Sequence, residues 1–388
     1  MNLAKSTNFD VLIVGGGVIG LSIARELKKN GAERVCIIEK NAGCGLESSS
    51  AAAGMLAPQA EANAADDFFR LCQESRDLYL HFAAELTEET TVDIEFDQTG
   101  TLYLAFSEDD LTELEKRFAW QSAAGLRVEK LNERDIAAIE PNLSKLALGA
   151  LRFPFDWQVK NTMLVAALAR LLPQLETDEF KNNSNGWLSA RAENLIFKNG
   201  AVAGVQTDRG ELLASVVVIA AGAWTSQFNL PVEISDAIKI APVRGQMMSF
   251  RDNDKLIRHN VYTSRGYIVP RRGQQIMVGA TVENAGFDAR ATGAGVAQLL
   301  QTAFEIAPHL QNLSLNKIWA GLRPRSLDGL PLLGEFPANS GLYFATGHYR
   351  NGILLAPITA KLIAEKIAKN VDSSFLKIFN PGRFANNS

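Results

Sequence analysis

A short apolar run, Phe9 to Val14, leads directly into Gly15-x-Gly17-x-x-Gly20, and an amphipathic stretch from about Val18 to Asn30 follows at once. No other feature restricts the fold of this chain as strongly. The run reads as a buried strand, because it is short, rich in β-branched residues and broken by glycine. Ile19, Ile23 and Leu27 share one face of the predicted helix, and Gly31 stops it. Arg34 to Ile38 is a second buried strand, closed by Glu39. Strand, helix and strand in this order predict a parallel pair with a right-handed crossover. Gly15 permits a tight turn, Gly17 lets the backbone approach a pyrophosphate, and Gly20 lets the helix pack on the strand. The helix start offers free N–H groups and a positive dipole end to phosphates. A carboxylate at Glu39, about 20 residues past the last glycine, accepts hydrogen bonds from ribose hydroxyls and repels a 2′-phosphate. A dinucleotide other than NADP is therefore expected. The bland alternative is a tight turn with no ligand.

The rest of the chain alternates in character. Asn41 to Ala65 reads as loop, Asp66 to Leu86 as helix, Val92 to Phe106 as a hairpin turning at Gly100, and Glu108 to Ala123 as helix. Asn161 is a plausible N-cap for a helix to Leu172. The middle is strand-rich: Val202 to Thr207, Leu212 to Ala220, Val243 to Phe250, Tyr262 to Pro270 and Gln275 to Val282. The later strands have no helices between them, which predicts an antiparallel sheet. Gly341 to Ala345 and a helix from about Gly352 to Lys369 restore the strand–loop–helix order. The predicted class is mixed α/β and α+β: a discontinuous Rossmann-like dinucleotide domain (1–88, 146–235 and 316–388) with an inserted antiparallel-sheet substrate domain (89–145 and 236–315).

With 388 residues, the chain exceeds the size at which single cores usually stop growing. A net charge of −4, without basic clusters, argues against a nucleic-acid partner. The three cysteines, Cys36, Cys44 and Cys72, have neither metal-ligand nor disulfide-framework spacing, so no metal is expected. Met1 to Asn8 is short and polar, unlike a signal peptide, and no apolar run approaches about 18 residues. Cytoplasmic location without integral membrane association is the default expectation.

Two features favour FAD over NAD. Leu212 to Trp224, LLASVVVIAAGAW, is an apolar strand that ends in small residues around Gly222, suited to passing under a dinucleotide. Leu342 to Pro357, LYFATGHYRNGILLAP, is a strand and glycine-containing loop before a helix whose N-terminus suits the negative pyrimidine edge of a reduced flavin. An ordinary strand–helix turn is the alternative there.

Several longer segments carry a resemblance: SSSAAAGMLAPQAE (Ser48–Glu61), GYIVPR (Gly266–Arg271), WAGLRP (Trp319–Pro324), DGLPLLG (Asp328–Gly334) and GHYRNGILLAP (Gly347–Pro357). The chain resembles the glycine oxidases of thiamine biosynthesis, within the D-amino-acid oxidase superfamily, over almost its whole length. That resemblance implies a flavin domain like that of para-hydroxybenzoate hydroxylase, and an antiparallel sheet covering a non-covalently held FAD. It implies oxidation of glycine and other small amines to imines, with electrons passed to oxygen to give hydrogen peroxide. It also implies hand-off of the glycine imine to a thiazole synthase, and a homo-oligomer is expected.

Carried over by position, the resemblance puts Val18 and Ile19 at the pyrophosphate turn and Glu39 and Lys40 by the adenosine ribose. Ser48, Ser49, Ala53, Gly54 and Met55 would line the flavin. Gly321 and the segment His348, Tyr349, Arg350, Asn351, Gly352, Ile353 and Leu354 would complete its edge. Arg323 matches a substrate-carboxylate arginine, Tyr267 a pocket tyrosine, and Arg350 a second substrate-proximal arginine. Each has a plain alternative: a surface ion pair for Arg323, a satisfied core hydroxyl for Tyr267, a flavin contact or an ion pair for Arg350. His348 reads as a loop residue rather than an acid–base group. Arg325 stands where many relatives have a small residue, which would add charge at the pocket mouth. The rival function is a D-amino-acid dehydrogenase passing electrons to a quinone.

Overall fold

The computed structural model describes residues 7–175 and 185–384; the polar segment read at the N-terminus lies outside them as far as Ser6. Thr7–Val14 (β1) runs into the glycine turn, Val18–Lys29 (α1) follows, and Val35–Glu39 (β2) returns. β1 and β2 pair in parallel, with Val11 opposite Val35 and Val14 opposite Ile38. α1 buries Ile19, Ile23 and Leu27 in the core under this sheet. Burial of an aliphatic side chain of that size stabilises by roughly 1.5–3 kcal/mol each. On the other flank of β1 lies Gly210–Ile219, also parallel. Leu342–Thr346 pairs with it in parallel, Leu332–Glu335 closes that edge antiparallel, and Gly186–Ser189 extends the sheet beyond β2. The near-continuous apolar run of the central strand follows from burial on both faces. A hairpin, Ala192–Lys198 and Ala201–Thr207, pairs with the first half of Gly210–Ile219. These are the parallel Rossmann-like elements expected from the glycine pattern.

The second sheet runs in the order Leu315–Arg325, Ala241–Arg251, Gln275–Gly279, Gly266–Arg271, Asn260–Thr263, Thr101–Ala105, Gly149–Phe153 and Glu129–Leu131. Its pairs are antiparallel except Asn260–Thr263 with Thr101–Ala105. Two of its strands, Gly149–Phe153 and Leu315–Arg325, fall largely in stretches that the sequence reading grouped with the dinucleotide unit.

Three local expectations change. The hairpin expected over Val92 to Phe106 does not form, because only Thr101–Ala105 is strand and its antiparallel partner is Gly149–Phe153. Ahead of Gly100 the Asp93 carboxylate accepts from Glu95 N (2.8 Å) and the Asp97 carboxylate from Thr99 N (2.9 Å), so side chains take the N–H groups a ladder would need. The run Tyr262 to Pro270 is two strands, split where the Thr263 hydroxyl accepts from Arg265 N (3.1 Å) and Gly266 N (3.2 Å). Asn161 is not an N-cap: it is the first residue of Asn161–Arg170, capped by Lys160 without a side-chain bond, and its amide serves a neighbouring loop.

Candidate functional site

The glycine turn is assembled as tightly as its sequence demands. Gly15 has φ +110°, and a Cβ at Gly20 would lie 2.0 Å from Gly15 O. Glu39, nearly buried, accepts from Gly16 N at 2.8 Å and Asn41 N at 2.9 Å. Its carboxylate therefore braces the turn as well as lining the cavity beyond it. Ser49 Oγ accepts from Val18 N at 3.0 Å, so a loop hydroxyl meets the first N–H of α1. Lys40 pairs with Glu47 at 3.1 Å and lies 3.7 Å from the centroid of the Trp224 ring.

The segment Ser48–Gly54 is held through its backbone by the helix Asn161–Arg170 and by the second sheet. The Asn161 amide donates to Ser49 O (2.8 Å) and Ser50 O (3.0 Å), and Trp319 Nε1 donates to Ala51 O (3.0 Å). Arg271 donates to Ala53 O, and Val159 N to Gly54 O at 2.8 Å. Ser48 Oγ donates to Leu322 O. Arg271 is buried with Gln158 and Val159 O as its other oxygen partners, and burial pushes its guanidinium down to about 10. A loop with its carbonyls so committed holds one shape in front of whatever occupies the cavity.

At the far end lie two arginines of different character. Arg323, half-buried, donates to Thr281 O (3.0 Å) and Arg244 O (3.4 Å) and rests on Gly245, where a Cβ would lie 2.2 Å from Nη1. No carboxylate of the described residues forms an ion pair with it. Arg350 instead pairs with Glu61 at 3.1 Å, and the Tyr262 hydroxyl donates to the same Glu61 oxygen at 2.7 Å. Glu61 holds the Arg350 guanidinium well above its ordinary range, so that cation is permanent and already neutralised. The Tyr267 ring centroid is 5.4 Å from that of Tyr262. Burial pushes the Tyr267 hydroxyl up, with Arg323 and then Arg350 acting against the rise, so it stays protonated as a donor. His348 is buried with Nε2 3.0 Å from Thr359 Oγ1, and burial lowers it to about 3. Its ring is neutral and turned toward a helix.

One cavity of about 950 Å³ runs past all of these elements. It is lined by Gly15, Gly17, Val18, Ile19, Glu39, Lys40, Ser48, Ser49, Ala53, Gly54, Met55 and Gly222. Tyr267, Gly321, Arg323 and the run His348 to Ile353 line its other walls. Two expected residues stand apart from it. Gly20 serves the packing of α1, and Leu354 is 1% exposed in the core, its carbonyl accepting from Ser75 Oγ at 2.6 Å. Arg325 is exposed, its guanidinium carbon 5.7 Å from the Tyr349 ring centroid, and does not line the cavity. Sequence reading missed Glu61 and Tyr262 as members of the site. Glu61 closes one quoted motif and Tyr262 opens a predicted strand, but nothing in the sequence links either to Arg350. A dinucleotide fits the residues present. Glycines leave room at the turn, the Glu39 carboxylate lines the cavity beside it, the start of a 12-residue helix opens on the cavity, and a chamber lies beyond with an arginine that no carboxylate of the described residues pairs.

Comparison with known proteins places this geometry. Residues 10–366 match the family described as FAD dependent oxidoreductase. The glycine oxidase of Geobacillus kaustophilus (strain HTA426) is 36% identical over 371 residues, covering 93% of each chain. The bifunctional protein ThiO/ThiG of Nostoc sp. is 35% identical over 387 residues, which are 96% of this chain and 55% of that protein. The crystal structure of glycine oxidase from Geobacillus kaustophilus superposes with a TM-score of 0.88 at 33% identity, covering 97% of this chain and 99% of that one.

Proposed function

The chain belongs to the FAD dependent oxidoreductase family, and from that membership we propose that it oxidises glycine and other small amino acids or amines to the imine, with oxygen as acceptor. Written for glycine, the Cα–H and one N–H are lost, the imine forms, and oxygen takes both electrons and both protons to become hydrogen peroxide. Water then converts free imine to glyoxylate and ammonia, unless it is captured for thiazole formation in thiamine biosynthesis. A relative that is bifunctional and about twice as long supports the idea of such a hand-off.

FAD, when bound, supplies the acceptor for the hydride and the relay to oxygen. The chain's own residues have to bind and orient. Glycines 15 and 17 with Val18 and Ile19 would hold the pyrophosphate, Glu39 and Lys40 the ribose, and Ser48 to Met55, Gly222, Gly321 and His348 to Ile353 the flavin. The hold is read as non-covalent, since no cysteine lines the cavity and the His348 ring is tied to Thr359. The first sheet would carry the cofactor and the second cover it. A cytoplasmic homo-oligomer completes the reading; no helix among the described residues is long and apolar enough to cross a membrane.

The observation that carries the proposal is the asymmetry of the two arginines. Arg350 has Glu61, whereas Arg323 has no carboxylate partner among the described residues: it bonds two carbonyls and the Tyr267 hydroxyl and retains donors for a carboxylate. A forked guanidinium fixes both oxygens of an amino acid and so presents its α-hydrogen in one orientation. Tyr267 would shape the wall beside it. Arg323→Ala should lower kcat/KM for glycine by roughly 30- to several-thousand-fold, the range for breaking a desolvated charge pair at about 2–5 kcal/mol. Arg323→Lys should recover part of the loss, because an ammonium lacks the fork. A carboxylate-free amine should lose far less, and FAD occupancy should stay normal. An equal fall for all three amines — glycine, sarcosine and the carboxylate-free one — would remove Arg323 from this role.

A further inference from the structure

Behind Arg323 lies a polar network that takes no part in lining the cavity where a substrate would sit. Its hub is Glu283. The Glu283 carboxylate accepts from Arg244 Nη2 (2.6 Å) and Nε (3.2 Å), from Gln246 Nε2 (2.8 Å) and from Thr281 Oγ1 (2.5 Å). Its backbone exchanges both bonds with Arg244, N to O at 3.0 Å and O from N at 2.9 Å. That exchange lies beyond the last regular pair between the two strands, Met247 opposite Gly279. The chain from Ala280 to Glu283 is therefore held to Ala241–Arg251 by side chains, one isolated bridge and a long backbone bond from Thr281 N to Gln246 O (3.3 Å) rather than by a continuous ladder.

The two carbonyls that hold Arg323 are those of Thr281 and Arg244. Both belong to residues that Glu283 ties down. Glu283 also absorbs the charge of Arg244, with Asp288 3.3 Å from the same guanidinium. Gln246 extends the network, since its Oε1 accepts from Thr292 N at 2.8 Å at the start of the helix Gly293–Ile306.

We propose that Glu283 is a positioning residue for the carboxylate site: it fixes the Thr281 and Arg244 carbonyls, and through them the direction of the Arg323 guanidinium. This rests on the reading of Arg323 as the carboxylate clamp. Glu283 touches neither the substrate nor the cofactor in this account; it acts on recognition of the carboxylate and leaves the reacting end alone.

The test uses holoenzyme and two readouts: acetate affinity, followed as a perturbation of the flavin absorbance, and KM against kcat for glycine and for a carboxylate-free amine. Glu283→Ala should weaken acetate and raise the glycine KM by roughly tenfold, the scale of coupling within one hydrogen-bond network. The glycine kcat and both constants for the carboxylate-free amine should change far less. Thr281→Val, which removes one of the bonds to Glu283 and the hydroxyl acceptor of Gln246 N but keeps the Glu283–Arg244 pair, should shift acetate affinity in the same direction by a smaller factor, and it serves if Glu283→Ala does not fold. In an Arg323→Ala background, adding Glu283→Ala should produce no further loss of acetate binding. Equal losses for amines with and without a carboxylate, or a Glu283 effect of the same size in both backgrounds, overturn the proposal while leaving the clamp intact. Unchanged acetate binding in Arg323→Ala alone overturns the clamp itself, and the proposal with it.

Discussion

A single carboxylate shows how much one residue carries in this fold. Glu39 was expected to meet a ribose, and its oxygens also accept from Gly16 N and Asn41 N at 2.8 and 2.9 Å. Replacing it with Gln keeps the shape but turns one acceptor into a donor that faces a backbone N–H. Glu39→Gln should weaken FAD binding by roughly 10- to 150-fold, from the 1.5–3 kcal/mol typical of a hydrogen bond to a charged group. Titration of apoprotein with FAD, followed by flavin fluorescence, reads the change. An unchanged dissociation constant would place Glu39 outside both roles. His348 makes the opposite point. It sits in a loop that lines the cavity, yet burial holds it neutral and its ring bonds Thr359. Proximity to a site does not make a residue a proton carrier.

At the scale of elements, the turn Pro58–Glu61 matters most, because it delivers Glu61 to Arg350. It is clamped from both ends. The Asp156 carboxylate accepts from Gln59 N (3.2 Å) and Ala60 N (2.7 Å), while Arg117 donates to Ala60 O at 2.9 Å. Asp156 is fully buried, and that burial pushes its carboxyl up to about 7, against the pull of the two N–H groups and Arg76 and with a small push from Glu61. A folded pKa above the unfolded one means that the folded state binds the proton more tightly. The corresponding stability is complete below the ordinary carboxylate range and is lost as pH rises toward and through about 7. The melting temperature should therefore fall between about pH 5 and about pH 8, and Asp156→Asn, neutral throughout, should lose that decline. A wild-type slope retained in Asp156→Asn would assign the effect to another group.

For the whole molecule, the cavity is bounded by both sheets, and the segment Ser48–Gly54 takes bonds from the helix Asn161–Arg170 on one side and from the second sheet on the other. A ligand filling it binds the folded chain alone, so it stabilises by mass action. FAD at 100 times its dissociation constant should add about 2.7 kcal/mol, which raises the melting temperature of a chain this large by roughly 3 °C, since the unfolding entropy grows with chain length. Differential scanning of apoprotein with and without FAD measures it. Denaturation by acid or heat should then release free yellow flavin into the supernatant. Colour that stays with the precipitate would show a covalent link, and an unmoved melting temperature would separate the cavity from the cofactor.

The Rossmann-like start, its turn and its acidic partner were legible from residues 9 to 39, because everything there is local: a strand, three glycines and a helix face within one unit. The same holds for most cavity-lining positions, which sit in short motifs whose neighbours in sequence are their neighbours in space. The failures share a cause. The Val92 to Phe106 hairpin was lost because Asp93 and Asp97 bond their own backbone, and because the partner of Thr101–Ala105 lies some 50 residues downstream at Gly149–Phe153. Leu354 stands apart from the cavity because burial is decided by packing rather than by position in a motif. The sequence alone determined the glycine turn, its acidic partner and most of the residues that arrive at the cavity's walls. Only the tertiary structure decided that Glu61 takes Arg350 and that Arg323 meets no carboxylate among the described residues, since Glu61 and Arg350 are brought together across 289 residues of chain, which no local pattern encodes.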